Sequence, residues 1–141
     1  MNEVVNKQVT WDGISCLIVD DDKFSRAFVK TALHQVGVKN AKEATSAEEA
    51  IEILQNNHIN VVLLDHQMPN QTGIELAKQI KSGTVGNNKD LPIIIVTVDA
   101  KEKTVLEAKA VGIHEYLIKP ISPLALKKRL ATIFGIKERA Q

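Results

Sequence analysis

The sequence predicts an α/β fold, a doubly wound five-stranded parallel sheet with helices on both faces. Three observations carry that expectation. Short apolar runs occur without polar alternation, the pattern of strands buried on both faces. Between them lie segments of helical period with their own start and stop signals. Most of the apolar runs stop abruptly at an acid, a hydroxyl or a lysine, which sets reactive groups along one edge of the sheet.

The elements follow in order. Ile14–Val19 is the first apolar run, ended by Asp20, Asp21 and Asp22. A helix follows from about Asp22 to Val36, with Phe24, Ala27, Phe28, Thr31, Leu33 and Val36 near helical spacing and Gly37 as its C-terminal cap. Val38–Ala44 is a weak strand. Ser46 with Glu49 forms a capping box that opens a helix through about Gln55. Ile59–Leu64 is the next buried strand, stopped by Asp65. Thr72 caps a helix to about Lys81, and the glycine- and asparagine-bearing segment Ser82–Asp90 is a loop. Pro92–Val98 is a strand rich in β-branched residues, Asp99–Val111 a helix closed by Gly112, and His114–Ile118 the last strand. Ser122-Pro123, an N-cap with proline at the first helical position, opens a final helix to about Phe134, and Gly135 ends it. The expected body is thus 14–135, with a polar extension at 1–13 and a tail at 136–141.

Composition removes several function classes. The length of 141 residues fits one domain with its own core. At 44% hydrophobic and 25% charged residues, the chain reads as globular rather than disordered, fibrous or membrane-embedded. Eighteen basic residues against seventeen acidic ones give a net charge of +1, with no excess that points to nucleic acid or a membrane surface. No run reaches the ~20 apolar residues of a membrane helix, and no signal-peptide core opens the chain, so a cytoplasmic location is expected. Cys16 excludes an internal disulfide and reads as a buried small hydrophobe. Trp11 reads as packing the extension onto the body.

The strand ends carry the chemistry. With strand order 2-1-3-4-5, the first and third strands are neighbours and the topological switch point lies between them. Asp20, Asp21, Asp65, Thr97 and Lys119 then ring one cleft. Converging carboxylates repel one another unless a cation joins them, and an all-oxygen donor set suits Mg²⁺. An aspartate beside Mg²⁺ can act as a nucleophile and take a phosphoryl group. Lys119 supplies a neutralising ammonium and Thr97 a hydroxyl donor.

These residues resemble the receiver domain of two-component response regulators, the CheY-like family with its flavodoxin-like fold. The resemblance runs from about Ile14 to Phe134. It rests on Leu17-Ile18-Val19-Asp20-Asp21-Asp22, on Val61 through Pro69 with Gly73, on Pro92 through Thr97, and on Tyr116-Leu117-Ile118-Lys119-Pro120. It implies Asp65 as the phosphoacceptor and Mg²⁺ held by Asp20, Asp21, Asp65 and the Gln67 backbone carbonyl. It implies Thr97 and Tyr116 as the switch pair, Lys119 as the phosphate partner, and a cis Lys119-Pro120 bond. The donor would be a sensor histidine kinase or a histidine phosphotransfer protein. The output would pass to a protein partner through about Ala100–Phe134, with the chain a monomer or a phosphorylation-dependent dimer. Two positions depart from the family pattern: Val98, where a small residue is usual, and Asp99, which with Gln67 occupies the variable positions that tune phosphoryl lifetime.

Two other readings use the same residues. A phosphatase of the haloacid-dehalogenase type also uses an aspartate nucleophile with Mg²⁺, but wants an acid two residues on, where Gln67 stands. A degenerate receiver acting as a phosphorylation-independent adaptor is the third reading. Asp22 reads as a helix N-terminal acid favoured by the macrodipole, His66 as a surface histidine, and Lys127-Lys128-Arg129 as a solvated face.

Overall fold

The computed structural model describes residues 9–86, 89–113 and 115–137. The strands are β1 (Ser15–Val19), β2 (Asn40–Ala44), β3 (Val61–Leu64), β4 (Ile93–Thr97) and β5 (Glu115–Ile118). The helices are α1 (Lys23–Val36), α2 (Ala47–Asn56), α3 (Gly73–Lys81), α4 (Glu102–Val111) and α5 (Pro123–Phe134), preceded by a single 3₁₀ turn at Trp11–Gly13. All strand pairs are parallel, in the order β2-β1-β3-β4-β5. The expected fold and strand order are both present. His114, Asn87 and Asn88 lie outside the described residues, so the last predicted strand is seen from Glu115.

Strand alternation divides the core in two. Leu17, Val19, Val62, Leu64, Ile93 and Ile95 face the layer built by α2, α3 and α4. Cys16, Ile18, Val61, Leu63, Ile94, Val96 and Leu117 face α1 and α5. Burial on both faces is what the unbroken apolar runs encoded. Trp11 packs beside the second layer, its Cβ 3.0 Å from the point where Gly37 would carry a side chain. Gly37, with φ of 113°, caps α1 through N–H bonds to Leu33 and His34 carbonyls, as its place after Val36 suggested.

Three local expectations are corrected. The buried stripe of α1 is Val29, Ala32, Leu33 and Val36, while Phe24 and Phe28 are 78% and 52% exposed. Small and β-branched residues let the helix approach the sheet closely, so the aromatic spacing was the wrong face. The full capping box belongs to α3, where Thr72 accepts from the Glu75 N–H and Glu75 accepts from the Thr72 N–H. At α2, Ser46 accepts from the Glu49 N–H, but the Glu49 carboxylate takes the Thr45 hydroxyl instead. Finally, α4 starts at Glu102 rather than Asp99, because the Asp99 carboxylate turns back onto the Lys101 N–H and holds the preceding loop non-helical.

Candidate functional site

Register places the acids together. Val19 pairs with Leu64, so Asp20 and Asp65 leave their strands at the same level. The ladder continues past the assigned ends: the Asp65 N–H donates to Val19 O at 2.9 Å, and the Asp20 N–H to Ala44 O at 3.1 Å. On the other side Thr97 pairs with Ile118, and the Lys119 N–H donates to Thr97 O at 2.8 Å. The order of the strands, not their sequence, makes neighbours of residues 20, 65, 97 and 119.

Within this rim, Asp20, Asp21 and Asp65 each offer a carboxylate oxygen, and the three atoms lie within 4.8 Å of one another. Asp20 and Asp65 are buried and Asp21 is exposed. Lys119 reaches in from the end of β5, its Nζ 2.6 Å from Asp20 Oδ2 and 3.2 Å from Asp65 Oδ2. Burial pushes the Asp20 carboxyl up. Hydrogen bonds from Lys119, the Ser25 hydroxyl and the Asp22 N–H, with the Lys119 charge, outweigh burial and hold it below the usual carboxylate range. Burial likewise pushes the Lys119 ammonium down, but the Asp20 hydrogen bond and the charges of Asp65 and Asp20 leave it above the ordinary lysine value. One ammonium facing three carboxylates leaves excess negative charge, and hard oxygen donors so close together suit Mg²⁺. The donor set therefore fits the ion expected from the sequence.

The backbone around Asp65 is tightly held. The Gln67 N–H donates to Asp65 Oδ1 at 3.1 Å, while the Gln67 side chain is exposed. The Gly73 N–H donates to His66 O at 3.0 Å. A Cβ on Gly73 would collide with the Asp65 carbonyl oxygen and come within 2.8 Å of His66 Cα, so only glycine permits this approach. His66 is half-buried rather than on the surface, and its Nδ1 faces the Ile74 N–H at 3.4 Å.

Beyond β4 the predicted switch residues converge on Asp99. Thr97 is fully buried, and its hydroxyl oxygen accepts from the Asp99 N–H at 3.3 Å. The Tyr116 hydroxyl donates to the Asp99 backbone carbonyl at 2.7 Å. The Asp99 carboxylate is committed to α4, with Oδ1 on the Lys101 N–H and Oδ2 on the Thr104 hydroxyl, both at 2.9 Å. The Lys101 N–H is the main cause of its lowered pKa, which burial opposes and Thr104 assists. Tyr116 is pushed up to about 12 by burial and by the charges of Asp99 and Asp65. Val98 is 60% exposed and lines a groove of about 230 Å³ with Phe28, Lys119 and Pro120. The Lys119-Pro120 bond is cis. Arg129 of the basic run pairs with Glu115 at 3.2 Å.

Sequence reasoning missed Ser25, Arg26, Glu43 and Thr104. Arg26 had a signal: it sits three residues before Val29 and seven before Leu33, a charge on the buried stripe of α1. The others are polar residues of ordinary local pattern.

A family profile described as the response regulator receiver domain matches residues 16–131. The chain belongs to the response regulator receiver family. This receiver is 33% identical over 134 residues to the chemotaxis protein CheY-3 of Vibrio cholerae, covering 95% of this chain and 98% of the relative. It is 32% identical over 118 residues to the chemotaxis protein CheY of Pseudomonas aeruginosa, covering 84% and 94%. Among solved structures, it resembles CheY4 of Vibrio cholerae with a TM-score of 0.76 at 30% identity, over 85% of this chain and 98% of that one. The described residues of the receiver contain no helix long and apolar enough to cross a membrane.

Proposed function

We propose that this receiver takes a phosphoryl group on Asp65 and passes the signal to a protein partner. A phosphohistidine of a sensor kinase or phosphotransfer protein is the donor. The Asp65 carboxylate attacks phosphorus, the P–N bond breaks, and the imidazole leaves. Asp20, Asp21, Asp65 and the Gln67 carbonyl are the residues that would hold Mg²⁺, which when bound neutralises developing charge on the phosphoryl oxygens. Lys119 supplies a second cation, already seated between Asp20 and Asp65. Thr97 turns its hydroxyl toward the new phosphoryl oxygens and gives up the Asp99 N–H. Tyr116 and α4 respond through the same residue, biasing a two-state surface over about Ala100–Phe134. The chain acts as a phosphoacceptor rather than as a multiple-turnover enzyme.

The observation that carries this reading is the meeting of Asp20, Asp21 and Asp65 with Lys119 at one sheet edge. The test is incubation with Mg²⁺ and a small-molecule phosphodonor, followed by intact mass. Wild type gains one phosphate and Asp65→Asn gains none. Equal modification of Asp65→Asn overturns the site. An unmodified wild type would leave the adaptor reading, and sustained turnover of a phosphoester the phosphatase reading.

A further inference from the structure

Arg26 lies on the buried side of α1 with a side chain only 14% exposed. A guanidinium so placed is costly unless its donors are used and its charge is met. Two of its N–H groups are used and its charge faces a carboxylate. Nη1 donates to the Asp20 main-chain carbonyl at 2.8 Å, and Nε meets Glu43 Oε1 on β2 at 3.2 Å. The other Glu43 oxygen lies 3.5 Å from Lys30 Nζ.

The carbonyl that Arg26 holds belongs to the peptide joining Asp20 to Asp21. That peptide is planar, so fixing its oxygen fixes the plane from which Asp21 departs. The Asp20 N–H is meanwhile tied to Ala44 O at 3.1 Å. Asp20 is thus held at both its N–H and its carbonyl by consecutive residues of β2, directly by Ala44 and through Arg26 by Glu43. The exposed Asp21 carboxylate has its origin set by this clamp.

We propose that Arg26, braced by Glu43, is a positioning residue for the metal ligands Asp20 and Asp21, resting on the Mg²⁺ reading above. The opposite sign is also physical, since a guanidinium beside an acidic pocket repels a cation. Glu43, which also faces Lys30, offsets only part of that charge, but the Arg26 Nη1 hydrogen bond falls on the Asp20 main-chain carbonyl rather than on a carboxylate, so we take positioning to outweigh repulsion. Partners that orient metal ligands typically change affinity by about ten- to a hundredfold when removed.

The test is calorimetric titration of the full chain with MgCl₂, alongside a thermal melt of each variant. Arg26→Gln weakens Mg²⁺ binding about tenfold. Arg26→Lys, which keeps a donor for the Asp20 carbonyl but loses the separate Nε bond to Glu43, recovers part of that loss. Glu43→Gln, which frees the brace and uncovers the charge, weakens binding by about threefold. Asp21→Asn removes a ligand and serves as the reference for lost binding. Should wild type bind no Mg²⁺, the metal reading fails along with this one. If wild type binds and Asp21→Asn does not, Arg26→Gln affinity within about twofold of wild type, or tighter, overturns the proposal alone. If Arg26→Gln does not fold, Arg26→Lys decides: weaker binding supports the proposal and unchanged binding overturns it.

Discussion

Lys119 Nζ lies 2.6 Å from Asp20 Oδ2, closer than its 3.2 Å to Asp65 Oδ2. The ammonium is therefore a brace between an acid of β1 and the acid of β3, and removing it would leave converging carboxylates unmatched.

The sign of that pairing sets a pH dependence. The Asp20 pKa is held low in the fold, so its contribution is present above the unfolded carboxylate value and lost as pH falls through the folded one. The Lys119 pKa is raised, so its contribution is present below the unfolded lysine value and lost as pH rises through the folded one. Lys119→Met is expected to cost about 3 kcal/mol near pH 7 without Mg²⁺. The gap to wild type narrows as pH falls into the carboxylate range. Urea unfolding at two pH values measures it, and a gap independent of pH would contradict the assignment.

Gly73→Ala strikes the backbone of the phosphoacceptor. The added methyl meets main-chain atoms of Asp65 and His66, which cannot swing aside as a side-chain end does. A loss of about 2 kcal/mol is expected from the forced shift, together with slower phosphorylation of Asp65. A variant of wild-type stability and rate would show that this approach is not restrictive.

Tyr116 is the one tyrosine of the chain, so its ionisation is read without overlap from another tyrosine. Tyrosinate absorbance should show a midpoint near 12 in the folded protein and about 10 in urea. Equal midpoints in both states would mean that neither burial nor the Asp99 and Asp65 charges act on the phenol.

Val98 and Asp99 are expected to differ in their effect on phosphoryl loss. Val98 stands exposed beside Lys119, and trimming it to alanine opens the site to water and speeds hydrolysis several-fold. Asp99→Asn has a smaller effect on that rate, because the carboxylate points to Lys101 and Thr104. Phosphate release from labelled protein compares the two, and a larger effect at Asp99 would reverse their roles.

Much of this was legible in the chain. An apolar run such as Val61–Leu64 records burial on both faces, and a cap such as Ser122 or Gly37 acts within one helical turn. The acids at the ends of Ile14–Val19 and Ile59–Leu64 were visible for the same reason. What misled was Phe24 and Phe28: aromatic residues at helical spacing look like core, yet the sheet accepts the smaller face with Val29 and Ala32.

The sequence by itself determined the succession of strands and helices and the acids, hydroxyl and lysine at the strand ends, because periodicity, capping and burial are local. Only the tertiary structure decided that Arg26 holds the Asp20 carbonyl from a brace on β2, and that Tyr116 and Thr97 both meet the backbone of Asp99. Those contacts depend on the order of strands and on the direction of single carbonyls in loops, which no spacing along the chain encodes.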